Sequence, residues 1–212
     1  MAEIVNSIMR VAVIGAGSIA REYSLRFLCG SPYIDVVAIV DLNIEAAEAL
    51  AEDVGYRKLG AVIMGDKYRE TVDRSSVSMK DDQSVPYVLF TTDINEALLT
   101  SDAVYIATPP STHCTVVEIA HAGRKHVLLE KPIAVSLDDC DRICKSADQA
   151  YREHQLITSV HIGMRFNAAV HECRARVGRV QSVVLRLQFM QWPRVWQQQP
   201  WVARRAEVPT TC

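Results

Sequence analysis

A chain of 212 residues, 49% hydrophobic and 23% charged, has the balance of a folded globular protein, with room for one large domain or one complete domain and part of another. With 23 basic and 25 acidic residues the formal net charge is -2, which offers no overall attraction to nucleic acid or anionic lipid. No apolar run reaches membrane-spanning length, and Cys29, Cys114, Cys140, Cys144, Cys173 and Cys212 lack the paired spacing of a zinc site. The expectation is a soluble, cytoplasmic protein with reduced thiols and no metal. Arg174, Arg176, Arg179, Arg204 and Arg205 read as solvated faces or, for Arg204 and Arg205, a cofactor-side contact, rather than a nucleic-acid surface.

In chain order, the β-branched run at 11–14 leads into glycines and then into apolar positions at helical spacing over 18–29, which predicts strand, turn and helix. A second buried-strand run at 36–40 ends at Asp41, and the alanine-rich stretch 44–54 reads as a helix closed by Gly55. Residues 57–84, rich in Lys, Asp, Arg and Ser around one apolar patch at 61–64, read as a surface insertion. Alternation then resumes: strand 87–90, helix 94–99, strand 103–107, helix 112–122, strand 126–129, helix 137–152 and strand 156–161. This predicts an α/β Rossmann fold, a doubly wound parallel sheet with helices on both faces.

Past Gly163 the pattern changes to a helix over 166–176 and a long alternating run at 180–190, the pattern of a half-exposed antiparallel strand. The residues that follow are too few to finish a sheet. The expected organisation is therefore a Rossmann domain over 1–163 and an incomplete α+β domain, with an open antiparallel sheet, over 164–212.

Gly15, Gly17 and Ala20 form G-x-G-x-x-A between the first strand and the first helix. There the backbone from Gly15 through Gly17 and Ser18 to Ile19 can carry a dinucleotide pyrophosphate. Glycine is required first for the tight turn and second for close phosphate approach. Glycines also punctuate turns for structural reasons alone, but strand, helix and a following Asp41 supply the dinucleotide context. Asp41 has two readings: an acceptor for the adenosine ribose hydroxyls, which favours NAD over NADP, or the cap of the next helix, a role Asn43 can also fill.

The loop ATPPSTH at 107–113 is stiffened by two prolines and can wall the nicotinamide half of the cofactor. Thr108, Pro109, Pro110 and His113 are its candidate contacts, with Ser111 or Thr112 as helix cap. Taken alone, His113 reads as a packed or exposed histidine at a helix start. The strand at 126–129 runs into Glu130-Lys131-Pro132. A lysine at the carboxyl end of a parallel strand points into the crevice where ligands bind and can hold a substrate oxygen. The plain alternative is a surface lysine.

VAVIGAGSIA, Asp41, YIATPPSTH and VLLEKPIAVSLDD, in this order and at these distances, resemble the Gfo/Idh/MocA family of oxidoreductases, named for glucose–fructose oxidoreductase, inositol dehydrogenase and rhizopine catabolism. VGRVQSVVLRLQF is similar to the first strand of that family's second domain, so the resemblance runs from about residue 9 to about residue 207, with 57–84 as a departure. It implies that Glu130 and Lys131 belong to the E-K-P signature beside the cofactor, with Lys131 as catalytic residue at the nicotinamide and the substrate hydroxyl. It also implies hydride transfer between NAD(P) and a secondary alcohol of a sugar, polyol or related compound, and homo-oligomers of the full-length form.

Members of the family continue into a glycine-rich stretch and then an Asp or Glu followed one helical turn later by a catalytic histidine. WVARRAEVPTTC contains no counterpart, and His161 and His171 fall on other elements and receive no role. The expectation is an NAD(P)-dependent oxidoreductase truncated in its second domain. The alternative is a non-catalytic NAD(P)-binding module, a sensor or an inactive fragment.

Overall fold

The computed structural model describes residues 8–23, 27–57, 62–64, 87–163 and 168–177. Seven strands, β1 (Met9–Ile14), β2 (Ile34–Val40), β3 (Val62–Met64), β4 (Tyr87–Thr91), β5 (Ala103–Ile106), β6 (His126–Glu130) and β7 (Thr158–His161), form one sheet in the order β3-β4-β2-β1-β5-β6-β7. Every neighbouring pair is parallel. The chain places β2, β3 and β4 on one side of β1, with β4 between β2 and the edge strand β3, then returns to place β5 on the other side, so the switch point where ligands of such sheets bind lies between β1 and β5.

Among the described residues six α-helices accompany the strands: α1 (Ser18–Tyr23), α2 (Ile44–Arg57), α3 (Ile94–Thr100), α4 (His113–Ala122), α5 (Leu137–His154) and α6 (Ala168–Val177). Because parallel strands are covered on both faces, alternate residues enter two separate cores. Ala12 and Ile14 of β1 join Ala38, Val104, Ile106 and Leu129 on one face. Val11 and Val13 join Val36, Ile39, Phe90 and Tyr105 on the other, which Ala16 and Ala20 help to cover.

The expected doubly wound sheet is present, with three differences. The apolar patch inside 57–84 is not wholly surface loop: Val62–Met64 pairs with Tyr87–Leu89 as an extra edge strand, which supplies partners for otherwise open backbone groups of β4. Helix α2 passes through Gly55 to Arg57, a Gly being tolerated near a helix end. Helix α4 is entered through a 3-10 turn, Pro110–Thr112. The expected strand at 180–190 and the antiparallel sheet lie outside the described residues. Among the described residues no helix is long and apolar enough to cross a membrane.

Candidate functional site

The carboxyl ends of β1 and β2 are joined by backbone. Gly15 has φ +98, and a Cβ there would stand 2.8 Å from the carbonyl oxygen of Ala107 and 3.0 Å from the amide of Thr108, so both conformation and space demand glycine. Its N–H donates to the Val40 carbonyl at 2.7 Å, and the Ala107 N–H donates to the Ile14 carbonyl at 2.8 Å. The turn is thus sewn to both neighbouring strand ends.

Gly17 differs: a Cβ built there meets nothing within 4 Å. The protein itself gives no reason for glycine at this position, whereas a phosphate approaching the backbone does. Gly17, Ser18 and Ile19 are exposed and Ala20 is fully buried, so α1 is anchored by its inner face while its first residues line open space. These residues fit a dinucleotide pyrophosphate.

Of the two roles that the sequence left open for Asp41, the cap of α2 falls to Asn43. The Asn43 side chain accepts from the amides of Glu45 at 3.0 Å and Ala46 at 3.2 Å, making it the cap of α2. Asp41 instead accepts from the amide of Ala16 at 2.7 Å with Oδ2 and from that of Asn43 at 2.9 Å with Oδ1. A carboxylate is thereby fixed at the end of β2, tied to the glycine turn.

In the proline loop, Thr108 is half-buried, Pro109 exposed and Pro110 buried. Thr112 caps no amide with its side chain, contrary to one of the two cap assignments; its hydroxyl lies 2.8 Å from both the Thr108 hydroxyl and the Pro109 carbonyl. His113 follows the packed reading and not the cofactor-contact one. The ring is fully buried, with Nε2 2.9 Å from the Thr108 carbonyl and Nδ1 3.0 and 3.1 Å from the carbonyls of Pro132 and Ile133. It clamps the proline loop to the Glu130-Lys131-Pro132 turn and has no surface left for a cofactor.

Glu130 is likewise turned inward. It is 6% exposed, and Oε1 accepts from the Tyr105 hydroxyl at 2.7 Å and from Nδ1 of His161 at 2.6 Å. The amide of Lys131 donates to Oε2 at 3.2 Å. Burial first, and then the hydrogen bond to Glu130, push the Tyr105 phenol far above its ordinary range, so it stays a donor. The Tyr23 phenol is raised too, by burial and then by the Glu130 charge. Its ring lies 5.0 Å from that of Tyr105 and 4.4 Å from that of His161. The Lys131 side chain is exposed at the strand end.

Sequence reasoning passed over Tyr23 and Tyr105 and gave His161 no role, because Tyr105 and His161 reach Glu130 from two different strands and Tyr23 packs on their rings from α1. Among the described residues no group of three or more His, Cys, Asp or Glu side chains is placed to hold a metal ion.

A glycine turn at the switch point, an acidic residue at the end of β2 and a lysine at the end of β6 define a dinucleotide-binding Rossmann domain. Residues 9–157 match the family described as "Oxidoreductase family, NAD-binding Rossmann fold". The chain belongs to this Gfo/Idh/MocA family of oxidoreductases.

Among its relatives are scyllo-inositol 2-dehydrogenase (NAD(+)) of Bacillus subtilis, 25% identical over 80% of this chain and 40% of that protein, and UDP-N-acetylglucosamine 3-dehydrogenase of Acidithiobacillus ferrooxidans, 26% identical over 73% of this chain and 37% of that protein. The chain thus spans about two fifths of the length of these relatives. Among solved structures, GenD2 from gentamicin A biosynthesis, in complex with NAD, aligns with a TM-score of 0.61 at 19% identity over 81% of this chain and 39% of that one. At that identity the likeness shows the fold.

Proposed function

We propose that this chain is the cofactor-binding part of a dehydrogenase that oxidises a secondary alcohol of a sugar, polyol or related compound, with NAD preferred over NADP. Residues up to about 163 form the cofactor domain and 164–212 belong to the substrate side. The full-length protein is proposed to be cytoplasmic and to form homo-oligomers; Cys114, Cys140 and Cys144 are free thiols, in keeping with a reducing compartment.

The observation that carries the reading is the contrast between the glycines: Gly15 is required by the protein, while Gly17 faces space the protein does not fill. When bound, the nicotinamide group supplies the hydride acceptor. The residues of this chain do the rest. Gly15, Gly17, Ser18 and Ile19 receive the pyrophosphate. Asp41, held by two backbone amides, accepts from the ribose hydroxyls and repels a 2′-phosphate at the same place. Thr108 and Pro109 wall the nicotinamide side. Lys131 orients and polarises the alcohol oxygen, while Glu130 and His113 act from beneath by fixing the loops.

Fluorescence titration with NADH and NADPH tests the reading. The wild-type chain binds NADH more tightly, Asp41→Ala narrows the preference, and Gly17→Val abolishes binding of both without unfolding the protein. Equal affinity for the two cofactors in the wild type overturns the role of Asp41, and full binding by Gly17→Val overturns the site. A turnover assay across inositols and aldoses separates a dehydrogenase from a dinucleotide-binding module without turnover.

A further inference from the structure

We propose that His161 is a positioning residue of the hydride-transfer site, acting on Lys131 through Glu130; the inference rests on the role given to Lys131 above. In a parallel sheet, paired residues share a face. Tyr105 pairs with Leu128, and Glu130 pairs with His161, so Tyr105, Glu130 and His161 project to one face from three adjacent strands. A carboxylate in such a place is stable only when its lone pairs are satisfied.

Three donors converge on it: the Tyr105 hydroxyl and His161 Nδ1 at Oε1, and the Lys131 amide at Oε2. Because a carboxylate only accepts, it selects the Nδ1–H form of the imidazole. The Tyr23 ring, 4.4 Å away, restricts rotation of the imidazole. Nε2 lies 3.5 Å from where a Cβ of Gly163 would stand, just past the carboxyl end of β7, and has no hydrogen-bond partner among the described residues.

The consequence falls on Lys131. The carboxylate that His161 orients with one oxygen receives the Lys131 backbone N–H with the other, so β7 fixes the first residue of the turn that presents the lysine. Tyr105 alone leaves Glu130 free to pivot about a single contact on Oε1. His161 supplies the second, charge-assisted bond that sets the plane of the carboxylate.

The test is amide hydrogen exchange at Lys131 in the full 212-residue chain, measured by NMR beside NADH titration, for His161→Leu and His161→Asn. Asparagine keeps an N–H close to the position of Nδ1 but cannot titrate. His161→Leu is expected to speed exchange at Lys131 by about tenfold, the loss of one hydrogen bond to a charged group. Exchange at Val127 to Leu129 and the NADH dissociation constant should change less than about twofold. His161→Asn is expected to restore protection.

Unchanged exchange at Lys131 in His161→Leu overturns the proposal, as does acceleration spread equally along β6, which marks a general structural role. Failure of His161→Asn to restore protection also overturns it, since a titrating role is then required. If the wild type fails to bind NADH, the proposed function falls, yet the exchange comparison still decides the link from His161 to Lys131.

Discussion

The two halves of the sheet's carboxyl edge are built by different means. At β1 and β2 the edge is mainly backbone: a positive-φ glycine, a second glycine facing open space, and the Ala16 amide, held in place by the Asp41 carboxylate. At β5, β6 and β7 it is side chains: Tyr105, Glu130 and His161 in one buried network, and His113 clamping two loops by their carbonyls. In the proposed function a pyrophosphate, common to every dinucleotide, is met on the first half by fixed amides. The other half is proposed to place Lys131 against a variable substrate, and side-chain networks can be re-set without disturbing the turn.

Substitutions at the two glycines break this comparison most severely. Gly15→Val is expected to cost about 3 kcal/mol or more, combining backbone strain with overpacking against Ala107. Gly17→Ala should leave stability unchanged or slightly higher while weakening NADH. Denaturant midpoints and NADH titration read the two effects, and equal destabilisation by both would show that Gly17 serves only the turn.

A smaller effect is expected on the side-chain half. His113→Leu leaves the carbonyls of Thr108, Pro132 and Ile133 without the ring and should cost about 2 kcal/mol. NADH affinity should fall only modestly, because the glycine turn stays intact. Loss of binding as complete as in Gly17→Val would instead put His113 at the cofactor.

The mildest effect is one of pH. His121 links α4 to Ser146 of α5 at 2.6 Å and to Thr158 of β7 at 2.8 Å, and burial lowers its pKa. The unfolded chain therefore holds the proton more tightly than the folded one. This part of the stability is complete above about pH 6.5, the unfolded value, and is lost as pH falls toward the lowered folded value. Melting scans between about pH 7.5 and 5.5 should show that dependence in the wild type and a reduced one in His121→Gln. An unchanged slope in the variant would assign the acid sensitivity to other groups.

Much of the fold was legible because its signals are local. The continuous apolar run from Val11 to Ile14, the glycines directly after that strand and Asp41 at the end of the next are all set within a few residues, and they placed both strand ends correctly. The edge strand Val62–Met64 was not legible: three apolar residues among charged ones become a strand only because β4 offers an open edge. The buried faces of Glu130 and His113 were hidden for the same reason, since the E-K-P and ATPPSTH strings fix where those residues stand but not which way they turn.

The sequence by itself determined the βαβ alternation, the glycine turn and the position of Lys131 at a strand end, because φ restriction, apolar period and turn chemistry act between near neighbours in the chain. Only the tertiary structure decided that Asp41 reaches the amide of Ala16, that His113 joins Thr108 to Pro132 and Ile133, 19 and 20 residues away, and that His161 meets Glu130 across 31 residues. Those contacts depend on strand order and register, which no local preference encodes.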